Sequence, residues 1–201
     1  GQASTLVEMG NLYYQTGRLE EAAHLHQQAA TLYEELEDSI NQSLSLNNLA
    51  IVLQALGRLD EAREAATHTA RLKVPFGHAA EPWKTWKILQ DIETLAGRPD
   101  AASAARFRAS EFYTAYRRDG GEPQFSTARL IAVVGQVLRE HGAEEARRLI
   151  RPPEQFDEEL LPVRDALLAI LDGSRDPALA KDARLDYDDA VELSLLLDRC
   201  S

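Results

Sequence analysis

The sequence holds a single cysteine, Cys200, one residue from its end, so an intrachain disulfide is excluded and no thiolate set is available to hold a metal. It is also short of positive charge, with 22 Lys and Arg against 33 Asp and Glu, a formal net charge of -11. Nucleic-acid grooves and anionic membrane surfaces are bound largely through Lys and Arg set against phosphates, so neither is expected as a partner. No window approaches the roughly eighteen uninterrupted apolar residues of a membrane span. The opening Gly1-Gln2-Ala3-Ser4 lacks the basic and apolar regions of a secretory signal, and a cytoplasmic setting is expected. Aromatic residues are scarce, at 6%. Hydrophobic residues at 44% and charged residues at 27% still provide for a continuous core in a chain of 201 residues, which excludes disorder and collagen-like structure.

What the chain does have is internal repetition. A shift of 40 residues superposes Gly17-Arg18-Leu19-Glu20-Glu21-Ala22 on Gly57-Arg58-Leu59-Asp60-Glu61-Ala62 and on Gly97-Arg98-Pro99-Asp100-Ala101-Ala102. Leu6, Leu46 and Trp86 coincide upstream, as do Met9, Leu49 and Leu89; downstream, Ala29, Thr69 and Ala109 align, then Leu32, Leu72 and Phe112.

Each recurring position has a physical reason. Before the glycine, apolar residues at helical spacing (Leu46, Leu49, Ala50, Leu53) predict an amphipathic helix, here helix A. The glycine follows its last turn because a helix stop needs the left-handed backbone conformation that only Gly reaches without steric cost. Acidic residues next to it (Glu20, Glu21, Asp60, Glu61, Asp100) sit in the first turn of a second helix, helix B, at the positive end of its dipole. Ala22, Ala62 and Ala102 then let helix B approach helix A closely.

This pattern resembles the tetratricopeptide repeat family. Repeat one supplies Leu6, Met9, Gly10, Tyr13, Gly17, Leu19, Ala22 and Ala29, and repeat two supplies Leu46, Leu49, Ala50, Leu53, Gly57, Leu59, Ala62 and Ala66. Repeat three keeps Trp86, Leu89, Gly97, Ala102 and Ala109, but has Gln90 and Glu93 where the family has a small residue and an aromatic. The long period, with Leu46-Asn47-Asn48-Leu49-Ala50, resembles the variety found in kinesin light chains and bacterial multidomain signalling proteins. The resemblance implies an all-α solenoid, a right-handed superhelix of antiparallel helix pairs. Residues 1–118 would form three pairs and residues 119–153 a degenerate fourth, around Ile131, Val134, Gly135, Leu138 and Gly142. Gly120-Gly121-Glu122-Pro123 reads as a loop, and Pro152-Pro153 should end the fourth helix B. Residues 154–201 would cap the solenoid with helices over 154–171 and 186–199, the last N-capped by Asp186 and striped by Val191, Leu195 and Leu196, with Leu193 and Leu197 to its sides. The chain opens on glycine rather than methionine, which reads as the cut end of a longer protein.

Catalytic and metal-binding patterns are not found. His24 and His26 point to different helix faces, His68, His78 and His141 stand alone, and zinc, phosphate-loop and nucleophile-elbow motifs do not occur. Asp186, Asp188 and Asp189 lack the ligand alternation of a calcium loop and read as helix-capping acids. A non-enzyme with no cofactor and no metal is expected. Trp86 occupies the repeat's large core position; Trp83 stays open between core and ligand stacking.

In the family, helices A line the concave surface and can hold a peptide, with Asn amides offering both donor and acceptor. Transferred by repeat position, the family's five-residue carboxylate clamp falls on Val7, Asn11, Asn48, Lys84 and Ile88; Asn11, Asn48 and Lys84 match, while Val7 and Ile88 stand where cations are expected. A broader groove would be lined by Asn11, Tyr14, Asn47, Asn48, Gln54, Lys84, Lys87 and Asp91. The function implied is a protein-interaction module that binds a protein or peptide segment. Two alternatives stay open: a sensor segment serving an effector domain in a longer bacterial signalling ATPase or protease, and a self-associating scaffold.

Overall fold

The computed structural model describes residues 1–150 and 157–200, and among them there are α-helices and 3-10 turns but no strand. Among the described residues ten α-helices follow one another: α1 Gln2–Gln15, α2 Leu19–Glu35, α3 Ser39–Ala55, α4 Leu59–Lys73, α5 Pro82–Leu95, α6 Pro99–Arg118, α7 Ser126–His141, α8 Ala143–Arg148, α9 Leu161–Leu171 and α10 Tyr187–Cys200. Two compact units are formed, Gly1–Phe112 and Tyr113–Ser201. Pro152, Pro153 and residues 154–156, where a helix end and the next helix start were expected, lie outside the described residues.

The first unit is an array of helix hairpins, as the repetition predicts. Gly17, Gly57 and Gly97 have φ of 77°, 72° and 67°. The amide after each glycine reaches back to the carbonyl five residues earlier, Arg18 to Tyr13 at 2.8 Å, Arg58 to Leu53 at 2.9 Å and Arg98 to Glu93 at 2.9 Å, so each helix A ends in a Schellman stop. The stop between α2 and α3 has the same hydrogen bonds, Asp38 to Tyr33 at 2.9 Å and Glu37 to Glu34 at 3.0 Å, but places Glu37 at φ 56°. Asp38 then caps α3 by accepting from the Asn41 amide at 3.1 Å. Three residues thus close one helix and open the next, at the cost of a side chain in a conformation that suits glycine.

Successive helices pack in order from α1 to α5, and α3 also meets both α1 and α5, so the A helices adjoin one another. Ala22, Ala29, Ala62 and Ala66 are wholly buried, which is the close helix approach their size allows. Repeat one varies the scheme. A Cβ on Gly10 would lie 2.7 Å from His26 Cε1, so the glycine leaves room for a buried imidazole where repeat two pairs Ala50 with Ala66. Repeats two and three are joined differently. Glu93, 6% exposed, accepts from Arg63 through both carboxylate oxygens and from Arg98 at 3.3 Å, while Asp60 meets Arg63 at 3.2 Å and Arg98 at 2.9 Å. The glutamate that departs from the aromatic pattern is therefore the centre of an ionic joint, and removing it would leave two guanidinium groups to share Asp60. The 3-10 segment Val74–Ala80 was not legible in the repeat. It ends at Glu81 with φ 48°, ahead of Pro82 at the first turn of α5, where Trp83 is 0% exposed. Trp83 is a core residue.

In the second unit, α10 packs on α7, α9 and the 3-10 turn Pro177–Lys181. Its core holds Ile131, Val134, Val163, Leu167, Ile170, Leu193 and Leu196. The segment expected to form a degenerate fourth pair holds α7 and α8, and α8 has only 6 residues. Burial on α10 extends beyond the expected stripe to Asp188, Asp189 and Glu192. Glu192 receives a two-pronged ion pair from Arg117, which also donates to the Gly121 carbonyl. Tyr113 meets Tyr187 edge to face at 5.8 Å.

Two buried groups give the units opposite responses to pH. Burial lowers the His26 imidazole to about 4, and its Nδ1 finds no hydrogen-bond partner. Burial, reinforced by Asp188, Asp186 and Glu192, raises Asp189 to about 7, and its Oδ1 likewise has no hydrogen-bond partner. For His26 the unfolded chain takes up the proton first, so the stability of the first unit falls as pH drops from about 6.5 toward 4. For Asp189 the unfolded chain loses the proton first, so its contribution is full below about 4 and is lost as pH rises through 7. Denaturant titration followed by tryptophan fluorescence, which reports Trp83 and Trp86 in the first unit, should show a lower midpoint at pH 5 than at pH 7. Asp189→Asn should raise the stability of the second unit at pH 8 by about 2 kcal/mol and leave it nearly unchanged at pH 4. Glu37→Gly should add about 0.5–1 kcal/mol by relieving the left-handed glutamate, seen as a rise of a few degrees in the melting temperature.

Candidate protein-interaction surface

The residues expected to line a groove lie on α1, α3 and α5, and the structure sorts them. Asn11 is exposed on α1, and its Oδ1 accepts from Asn48 Nδ2 on α3 at 3.3 Å, so these two amides meet across adjoining A helices. Tyr14 is 40% exposed on α1, and Gln54 is half-buried near the end of α3. Lys84 is exposed on α5, with Nζ 2.7 Å from Glu81. Lys87 meets Asp91 at 2.8 Å, one turn along the same helix. Asn47 lies elsewhere. It is 8% exposed and its Nδ2 donates to the Thr85 hydroxyl at 3.1 Å, in the joint between α3 and α5. One residue along a helix is a rotation of about 100°, and that rotation turns Asn47 toward α5 and Asn48 toward α1.

The electrostatics follow from these pairings. Lys84 is the matched cation of the carboxylate clamp, yet Glu81 already offsets its charge, and the clamp positions Val7 and Ile88 are half-buried apolar side chains. The Glu81–Lys84 and Lys87–Asp91 spacings of three and four residues could have been read from the sequence as helical ion pairs. Ile40 and Leu44, 49% and 50% exposed on the solvent face of α3, lie outside the expected polar lining.

The B helices present a different surface. A depression of about 380 Å³ is lined by Gln27 of α2, Leu46, Leu49 and Leu53 of α3, and Glu64, His68 and Arg71 of α4. Among the described residues no group of three or more His, Cys, Asp or Glu could hold a metal ion, and no helix is long and apolar enough to cross a membrane.

The model of the tetratricopeptide repeat family matches residues 1–73, from α1 to the end of α4. This segment belongs to the tetratricopeptide repeat family. The match covers the first two hairpins, whose turn glycines, buried alanines and adjoining A helices have been described above. No curated protein matches the sequence. Tetratricopeptide repeats are in general protein-interaction modules, and their helical fold is typically a scaffold without catalytic machinery.

Within the first unit Asn47 behaves as a buried structural amide. Asn47→Ala should cost about 1–2 kcal/mol, because it leaves the buried Thr85 hydroxyl without its partner. Thermal unfolding followed by circular dichroism is the measurement.

Proposed function

We propose that the chain is a protein-interaction module that holds a segment of a partner protein on the surface formed by the A helices α1, α3 and α5. The observation that carries this reading is the Asn48–Asn11 contact at 3.3 Å, which sets amide groups of two successive repeats side by side on a solvent-facing surface. An amide pair of this kind can exchange its mutual bond for bonds to a ligand backbone, since each carries both a donor and an acceptor. Lys84 is exposed at the α5 edge of the surface.

Capture of a ligand's terminal carboxylate is disfavoured on the same geometry. Lys84 is held by Glu81 at 2.7 Å and Lys87 by Asp91 at 2.8 Å, so a bound carboxylate would have to displace an acid already in place. The net charge of -11 also repels acidic segments at a distance and favours basic or neutral ones.

Asn11→Ala combined with Asn48→Ala should weaken partner binding at least tenfold in isothermal titration, with the melting temperature little changed, since the two amides are exposed and bond each other. Full affinity in the double variant would remove the A-helix surface from consideration.

A further inference from the structure

We infer that the partner segment is an amphipathic helix with an uncharged aliphatic seam and basic flanks, lying along α3 rather than stretched across the three A helices. The inference rests on the proposed interaction surface and specifies what it receives. Its starting point is that α3, Ser39–Ala55, contains no charged residue at all, in a chain where 27% of residues are charged. Most of this uncharged helix is enclosed by its neighbours, with Gln42, Ser43, Ser45 and Asn47 buried beside its leucines. Here one side stays open. Ile40, Leu44, Ile51 and Ala55 are exposed or half-buried, and at 100° per residue they fall within a sector of about 60°. The stripe spans 16 residues, about 22 Å along the axis.

The direction of the stripe decides the kind of ligand. The repeat places Ser4 of α1 and Lys84 of α5 level with Leu44, and Asn11 and Asp91 level with Ile51. Apolar surface therefore runs along α3 in two patches, Ile40 with Leu44 and Ile51 with Ala55, parted by Asn47 and Asn48 at the margins, and at the levels of Leu44 and Ile51 polar groups stand on both neighbours. An extended peptide crossing the A helices would set one apolar contact between two polar ones. A helix laid parallel to α3 offers the matching arrangement, an apolar stripe with polar rows on both sides. Asn48 marks the α1 margin of the stripe through Asn11, and Asn47 marks the α5 margin through Thr85.

Charge fixes the flanks. Exposed acids lie beside the stripe at Glu8 on α1 and at Glu37 ahead of α3, while the lysines of α5 are offset by Glu81 and Asp91. With the overall charge at -11, Lys or Arg on the edges of the incoming helix is favoured and Asp or Glu is opposed.

The test uses the 201-residue chain against two displayed libraries of sixteen-residue peptides, one permissive for helix and one with two central prolines. The helix-permissive library should yield binders with Leu or Ile at helical spacing and Lys or Arg beside them, and the proline library should not. Synthetic copies of those binders should lose at least tenfold in affinity to Leu44→Glu and to Ile40→Lys, both at half-exposed positions, with folding verified by circular dichroism. Equal enrichment from the proline library, with binding still sensitive to Leu44→Glu, would overturn the helical ligand while leaving the interaction surface in place. Binders indifferent to Leu44→Glu and also to the Asn11→Ala, Asn48→Ala pair would overturn both. Enrichment from neither library, or concentration-dependent self-association of the chain abolished by Leu44→Glu, would likewise sink the helix, the latter by making a second copy the occupant.

Discussion

The hydrogen bond that closes each helix A is the constraint on which the first unit depends. When the amide of Arg18, Arg58 or Arg98 reaches back over the glycine to a carbonyl in the last turn, the direction of the following helix is set. Because the stops are alike, the first two hairpins fold back alike, and only then can the wholly buried Ala22 and Ala62 meet their neighbours at the same depth. The adjoining A helices, and the surface they share, are consequences of that sameness.

The arginines of these stops also tie the hairpins together. Arg58 pairs with Glu61 in its own hairpin at 2.7 Å and reaches Glu20 of the preceding one at 3.1 Å; Arg98 repeats the backward reach to Asp60 at 2.9 Å. Arg18, in the first hairpin, bonds Glu21 and lies over the Tyr13 ring at 4.0 Å. These contacts are largely exposed, so each adds little stability by itself. Their value is alignment, since a hairpin rotated against its neighbour would lose them. The joint between repeats two and three adds a buried acid, Glu93, to the same scheme.

Much of this was legible in the sequence because it depends on local backbone chemistry. Gly17, Gly57 and Gly97 announce the stops, and the buried alanines announce the close packing. Glu37 was not legible as a left-handed residue, because the geometry there is imposed by Asp38 capping the next helix rather than by the preference of the residue itself. The site was harder to read. Asn47 and Asn48 look equivalent as letters, but one is enclosed by Thr85 and the other meets Asn11. Trp83 stayed open from sequence because its burial depends on the 3-10 segment before α5, which the 40-residue alignment runs straight through. On α10 a periodic stripe was visible, whereas burial of Asp188, Asp189 and Glu192 depends on distant elements such as the helix bearing Arg117.

The backward reach of Arg58 to Glu20 and of Arg98 to Asp60 spans 38 residues in both cases. Copying a whole 40-residue unit of the Arg58 type would carry the donor and the acceptor together, so the array can grow by duplication without new adhesive chemistry. The Glu93 joint has no such freedom, because it needs Arg63 on one unit and Glu93 on the next. Exchanging units would separate the two, which makes this junction the point that fixes the order of the segments along the chain.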